Sequence, residues 1–388
     1  MQKATIAKAG ISASVALALS FGVMAQAHAD IQPTTTDAVA VGSDTVQYVV
    51  DFLDDGDTNL HTGYNTVTKN RVFSFDATAD ASGRAAYLNS TSTALPSSIV
   101  LRQGSKPVTR PNGSGAGITA LLGDTTHKID FVRSSRLPTA AEEATALTAF
   151  NGFHVYQIAT DGLQIAVAQA GTNAPAGLSA DEIANIYDGT YKTWGDIPGY
   201  TGTAAQKAHG IVPVIPQVGS GTRNDFIANI KTLTGVDLAA SGVLASNVVT
   251  GEEHDPTAIT NIVAHNDVNG NPVTSADGIS PFSTGRDKLI DTGYFGTTPA
   301  PNTINLLNGA SPDGEVATSY LLNRFLYIIA RQTDAVSTTP FQSGSSLNLV
   351  NTLFGSASSW YGKPANAALF TSAGVTRAWV DKGINPTS

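Results

Sequence analysis

The sequence predicts an α/β fold divided between two lobes, and three observations carry that expectation. Apolar, β-rich runs at residues 72–77, 129–132, 163–168, 212–215 and 325–330 read as buried strands. Between them apolar residues recur at helical spacing: Val46, Val49, Val50 and Leu53; Ile118, Leu121 and Leu122; Ile183, Ile186 and Tyr187. Strands separated by helices imply parallel sheets. The third observation is length, because 388 residues exceed what one hydrophobic core usually serves.

Taken in order, residues 1–29 read as a secretory signal peptide. Lys3 and Lys8 precede an apolar stretch, and Ala27-His28-Ala29 supplies a small-residue cleavage site that leaves Asp30 first. That stretch is short and interrupted, and no later one reaches the length of a membrane span. An exported, soluble protein, periplasmic or secreted, is expected. Cys is absent, which excludes disulfides, thiolate metal sites, Cys catalysis and a lipidated Cys anchor. The signal carries two of the 22 Lys and Arg and none of the 31 Asp and Glu, so the mature chain holds 20 against 31. Such acidity argues against nucleic acid as a partner, and any anion site has to be local.

Residues 78–109 read as a polar surface insertion with one apolar island at 98–101. Ser179 and Glu182 stand at capping-box spacing before the Ile183 helix, which should end near Gly189. Asn269-Gly270 marks a turn of hairpin type.

Three Gly/Ser/Thr turns sit immediately before helical patterns: Gly42-Ser43-Asp44-Thr45, Gly113-Ser114-Gly115 and Gly219-Ser220-Gly221-Thr222-Arg223. A helix start offers unpaired N–H groups and the positive end of the macrodipole, Gly lets an anion approach, and Ser or Thr adds a hydroxyl. Each turn alone is also an ordinary cap; three of one construction suggest an oxyanion cage. A fourth segment, Arg133-Ser134-Ser135-Arg136, follows the strand ending at Val132. It would lie at the carboxyl end of a strand, where open α/β sheets bind ligands.

These segments resemble the periplasmic phosphate-binding proteins of bacterial ABC transporters, from about Val41 to the C-terminus. Gly219-Ser220-Gly221-Thr222 is the strongest motif match, and Ile186-Tyr187-Asp188-Gly189 with Trp194-Gly195-Asp196 is similar to a second-lobe signature of that family. The resemblance implies a type 2 periplasmic-binding-protein fold with a cleft between lobes and two hinge crossings, near Asp161 and Val316. Residues 30–160 with 316–388 would form lobe 1, and residues 161–315 lobe 2. It implies phosphate or a similar oxyanion as ligand, an ABC transporter permease as partner, a monomer, no cofactor, no metal and no catalytic residue.

Carried over, the contacts are Ser43 or Asp44, Thr45, Ser114, Ser220, Gly221 and Thr222, with Gly115, Arg133, Ser134, Ser135 and Arg223 added from the same loops. Two departures stand out. Pro216 occupies a position where the family often has Arg, and Ser135 one where it has Asp. Arg133 or Arg223 is expected to replace the Arg, and Asp44 the acceptor for a phosphate proton. A secreted phosphatase-like hydrolase using Ser220 or Thr222, and a surface protein that keeps the fold for partner contacts, remain open alternatives. Glu252-Glu253-His254-Asp255 is dense enough to suggest a metal, yet lacks a second His at helical spacing. The resemblance puts it on a second-lobe loop facing the cleft.

Overall fold

The computed structural model describes residues 32–67, 70–77, 98–261, 265–266, 272–273, 276–297, 299–314, 322–337 and 349–386. The signal peptide, most of the 78–109 segment, Asn269-Gly270 and Val316 lie outside them. The strands are β1 (Ala38–Gly42), β2 (Val72–Ser74), β3 (Ser98–Ile99), β4 (Val108–Thr109), β5 (Phe131–Ser134), β6 (Phe153–Ala168), β7 (Val212–Pro216), β8 (Val249–Gly251), β9 (His265–Asn266), β10 (Pro272–Val273), β11 (Gly278–Ser283), β12 (Ile304–Leu306), β13 (Leu322–Arg331) and β14 (Thr376–Ile384). The helices of eight residues or more are α1 (Gln47–Asp55), α2 (Ser114–Gly123), α3 (Ala140–Phe150), α4 (Ala180–Tyr187), α5 (Gly221–Thr234) and α6 (Thr284–Asp291).

One mixed sheet runs β2-β1-β5-β13-β6-β11-β7-β8, with β12 and β14 also pairing β6. At its two ends the pairs are parallel: β1 with β2 and β5, and β7 with β8 and β11. The antiparallel pair β6 and β13 joins them. At 16 residues, β6 spans about 50 Å. Its first part pairs β14 through residues 154–160, and its last part pairs β11 and β12 through residues 163–168. This single strand joins the two parallel ends of the sheet.

Side chains alternate across the sheet, and the cores follow that period. Ala38, Ala40, Phe131 and Ile328 join Val49, Phe52 and Phe354 on one face. Val39, Val41, Val132 and Ile329 join Ile118, Leu121 and Phe153 on the other. A third cluster packs Leu163, Ile165 and Val167 against Ile183, Ile186, Tyr187 and Phe226.

The expected helix at Ile183 is α4, and its capping box is formed: Glu182 N–H donates to Ser179 Oγ at 3.2 Å and Ser179 N–H to Glu182 Oε2 at 2.8 Å. The expected strand at 163–168 is only the second half of β6. The apolar island at 98–101 is not superficial, because Ile99 and Leu101 are buried in the second of these cores. Beside them the buried Arg102 binds Asp130 at 2.6 Å and the Asp37 carbonyl at 2.7 Å. An arginine among apolar residues is stabilised there by a full set of acceptors.

Candidate functional site

The expected loops occupy the carboxyl ends of parallel strands. Gly42 closes β1 ahead of Ser43, Asp44 and Thr45; β5 ends at Ser134; β7 ends at Pro216, ahead of α5. Ser220 is the N-cap of α5, its Oγ accepting from the Arg223 amide at 3.0 Å. Ser114 opens α2.

Three of these loops touch. Ser135 N–H donates to Ser114 Oγ at 3.0 Å, the two hydroxyls lie 3.3 Å apart, and Gly115 N–H donates to the Gly219 carbonyl at 3.1 Å. Gly221 is obligatory for this approach. A Cβ there would collide with Ser135 Oγ and lie 2.7 Å from Ser114 Oγ. The amides of Gly221 and Thr222, at the first turn of α5, donate to no acceptor among the described residues, as helix geometry dictates.

Thr45 and Thr222 meet from opposite sides, their hydroxyl oxygens 3.3 Å apart. Both direct a hydroxyl to Glu253 Oε1, from Thr45 at 2.7 Å and from Thr222 closer still. Arg324, on β13, donates to Thr222 Oγ1 at 2.6 Å and holds Asp161 through Nε and Nη2 at 3.1 and 2.9 Å. Burial opposes the Arg324 charge, but Asp161, Asp225 and Glu253 outweigh it, so its pKa is raised.

Several expected contacts stand elsewhere. Arg133 is fully buried and turned to the main chain: it donates to the carbonyls of Phe75 at 2.7 Å, Ser43 at 3.2 Å and Gly42 at 3.3 Å, and to Ser74 Oγ. It staples β1, β2 and β5 together, so it does not replace the missing Arg. Arg223 donates from Nη1 to the carbonyl of Pro216 at 2.9 Å. Ser134 folds back on its own turn, donating to the Arg136 carbonyl at 2.6 Å. Asp44 is buried but committed as an acceptor already. Arg286 donates to Oδ1 at 2.6 Å, and His254 Nδ1 lies 3.0 Å from Oδ2. Burial would raise the Asp44 pKa; Arg286 and His254 overcome that and hold it at about 2.

Arg286 and Arg324 are therefore the residues of this cluster that no local motif reveals, whereas Glu253 and His254 belong to the acidic segment expected to face the cleft and Asp161 lies at the expected first crossing. Arg286 also stacks over Tyr48, 4.3 Å from the ring centroid. One signal marks Arg324: it shares strand parity with Leu326, Ile328 and Ala330, all buried, and a charge in a buried register implies a partner. His254 adopts a positive φ of 59°. Its Nε2 lies 3.4 Å from Thr222 Oγ1. Among the described residues no group of His, Asp and Glu has metal-binding geometry.

A family model described as the PBP superfamily domain matches residues 82–341, well over half of the chain. Among curated proteins no sequence match was found. A solved Clostridium perfringens protein, assigned as a phosphate ABC transporter substrate-binding protein and containing phosphate, is 14% identical. The alignment covers 88% of this chain and 99% of that one with a TM-score of 0.51. An ABC-type phosphate transport receptor from Vibrio cholerae is 17% identical over 87% and 99% of the two chains, with a TM-score of 0.47. At these identities only the first likeness bears on this chain, and it bears on fold.

Proposed function

Because the chain belongs to the PBP superfamily, we propose that it is an extracytoplasmic solute-binding protein that captures phosphate, or a closely similar oxyanion, in the cleft between its lobes. The observation that carries this reading is the meeting of Thr45 and Thr222 at Arg324, with Ser114, Ser135 and Gly221 packed together at the start of the same 14-residue helix. Hydrogen bonds involving a charged group contribute about 1.5 to 3 kcal/mol each, so a handful support micromolar or tighter capture after association costs. On this reading residues 30–160 with 316–388 make lobe 1 and residues 161–315 lobe 2. The protein is exported without a lipid anchor, works as a monomer, delivers its ligand to a permease and catalyses nothing.

Hydrolysis of a phosphate ester is a second reading, and one observation favours it: Asp44, His254 and Thr222 stand in hydrogen-bond sequence. The Thr222 proton points to Glu253 rather than to His254, which leaves binding the better account. Isothermal titration of the ligand-stripped protein with phosphate should give saturable heat that Arg324→Met abolishes. Absence of heat with phosphate refutes the binding reading, and turnover of an aryl phosphate that disappears in Thr222→Val would establish the alternative.

A further inference from the structure

We propose that α1 and α6 form an aromatic clasp between the two halves of the sheet, and that this clasp keeps the cleft shut in the ligand-free protein, so that an anion enters only when the clasp yields. This goes beyond the binding reading above, since it names what sets the balance between the shut and the open molecule whatever the anion.

The two helices come from different halves. α1 follows β1, at the end where β1 pairs β2 and β5, and α6 follows β11, at the end where β11 pairs β7. They meet through rings. Tyr294, just beyond α6, lies edge-on to Tyr48 and Phe52 of α1, with centroids 5.6 and 5.3 Å apart, and Phe295 lies edge-on to Tyr48 at 5.4 Å. The Arg286 guanidinium stands 4.3 Å from the Tyr48 centroid and 5.5 Å from that of Phe295, and pairs with Asp44. A Cβ on Gly374 would collide with the Gly285 carbonyl, so the turn before β14 is seated against the first turn of α6.

The apolar packing runs unbroken across the boundary. Tyr48, Phe52, Leu289, Ile290 and Phe295 are buried in one cluster that also contains Phe354 from one half and Val214 and Phe282 from the other. Among the described residues, the other two clusters each draw their buried members from one half alone.

That difference decides which contacts hold the halves together. Other contacts across the cleft are polar: Thr45 Oγ1 donates to Glu253 at 2.7 Å, Asn112 Nδ2 to Glu252 at 3.0 Å, and Gly115 N–H to the Gly219 carbonyl at 3.1 Å. On opening, water replaces each lost partner, so these bonds bias the balance little. Rings receive no such replacement. Parting α1 from α6 hydrates them, and the hydrophobic effect therefore favours the shut form with or without a ligand. Entry then scales with the open fraction and tightness with the shut fraction. Loosening the clasp speeds association and weakens affinity together, whereas damage to the site weakens affinity without speeding association.

The test uses the absence of Cys from the chain. Leu147→Cys on α3 and Leu233→Cys on α5, at side chains 58% and 51% exposed, take one spin label on each half, and the distance between them is read by double electron–electron resonance. With no other change, the ligand-free protein should give one narrow distribution that phosphate moves by less than about 2 Å. Tyr294→Ala should lengthen and broaden the ligand-free distribution. In stopped flow its phosphate association should speed about fivefold to a hundredfold, as expected for the loss of its ring contacts with Tyr48 and Phe52. Tyr294→Leu, which keeps most of the apolar volume, should fall between, and it carries the test should the alanine variant not fold. A ligand-free distance several Å longer than the phosphate-bound one, before any change at Tyr294, overturns the proposal, and so do unchanged distances in both Tyr294 variants or slower association. Absence of heat with phosphate refutes the binding reading instead, and the ligand-free distances with and without Tyr294→Ala still decide the clasp.

Discussion

The ion pair between Asp44 and Arg286 ties the loop after β1 to α6, and it is the most quantifiable contact of the cleft. Asp44→Asn leaves the guanidinium buried beside Tyr48 with its counter-charge gone. Removing one partner of a buried pair costs about 3 to 5 kcal/mol. The pKa of Asp44 supports that scale independently: a fall from 3.8 to about 2 favours the ionised form in the folded protein by about 2 kcal/mol. Replacing both partners, as Asp44→Asn with Arg286→Met, removes the stranded charge and should recover much of the loss. Urea unfolding of the four proteins at neutral pH should therefore give a coupling of about 2 to 4 kcal/mol with unchanged m. Because the folded pKa is depressed, the stabilisation is complete above the unfolded value of 3.8 and disappears as pH falls toward about 2. Asp44→Asn should flatten that acid limb. Additive single effects, or an unaltered acid limb, would refute the assignment of this pair as a structural bond between the loop after β1 and α6.

Two further outcomes follow from the packing. Gly221→Ala places a methyl against Ser114 and Ser135 at a position whose backbone any residue accepts. It should weaken phosphate binding at least about tenfold by titration while thermal unfolding moves little. Arg133→Met should do the reverse, lowering stability by about 2 to 4 kcal/mol in urea because buried carbonyls at Gly42, Ser43 and Phe75 lose their donor. The folded fraction should retain affinity within about threefold, and a large selective loss of binding would restore Arg133 to the site.

What was legible in the sequence divides along physical lines. Capping chemistry is local, so Ser179 with Glu182 announced α4, and Ser220 announced the start of α5. The strand runs are visible because strands buried on both faces are continuously apolar, but only the second half of β6 reads so: its first segment contains His154, Tyr156 and Gln157, which interrupt the run. The hydroxyl and glycine loops were found for the same local reason. The charges were not, since an arginine's partner is set by tertiary distance. Arg133 and Arg223 lay next to the right motifs and turned to main-chain carbonyls, whereas Arg324 and Arg286 lay far away in sequence and reached the cleft. Asp44 belongs to the expected loop after β1, and no local pattern shows its bond to Arg286, 242 residues distant.

The pairing of Asp161 with Arg324 sits where β6 leaves its first set of neighbours for its second, directly on the two strands that join the halves of the sheet. If the halves of the sheet swing about those strands, this is the fulcrum, where the lever arm is shortest and atoms travel least. A contact between the loop after β1 and Glu253, such as that of Thr45, would separate on opening, but a pair at the fulcrum would survive it. The guanidinium would then hold the same place in the gaping and the shut molecule, giving an arriving anion a fixed landing point around which the movable walls assemble.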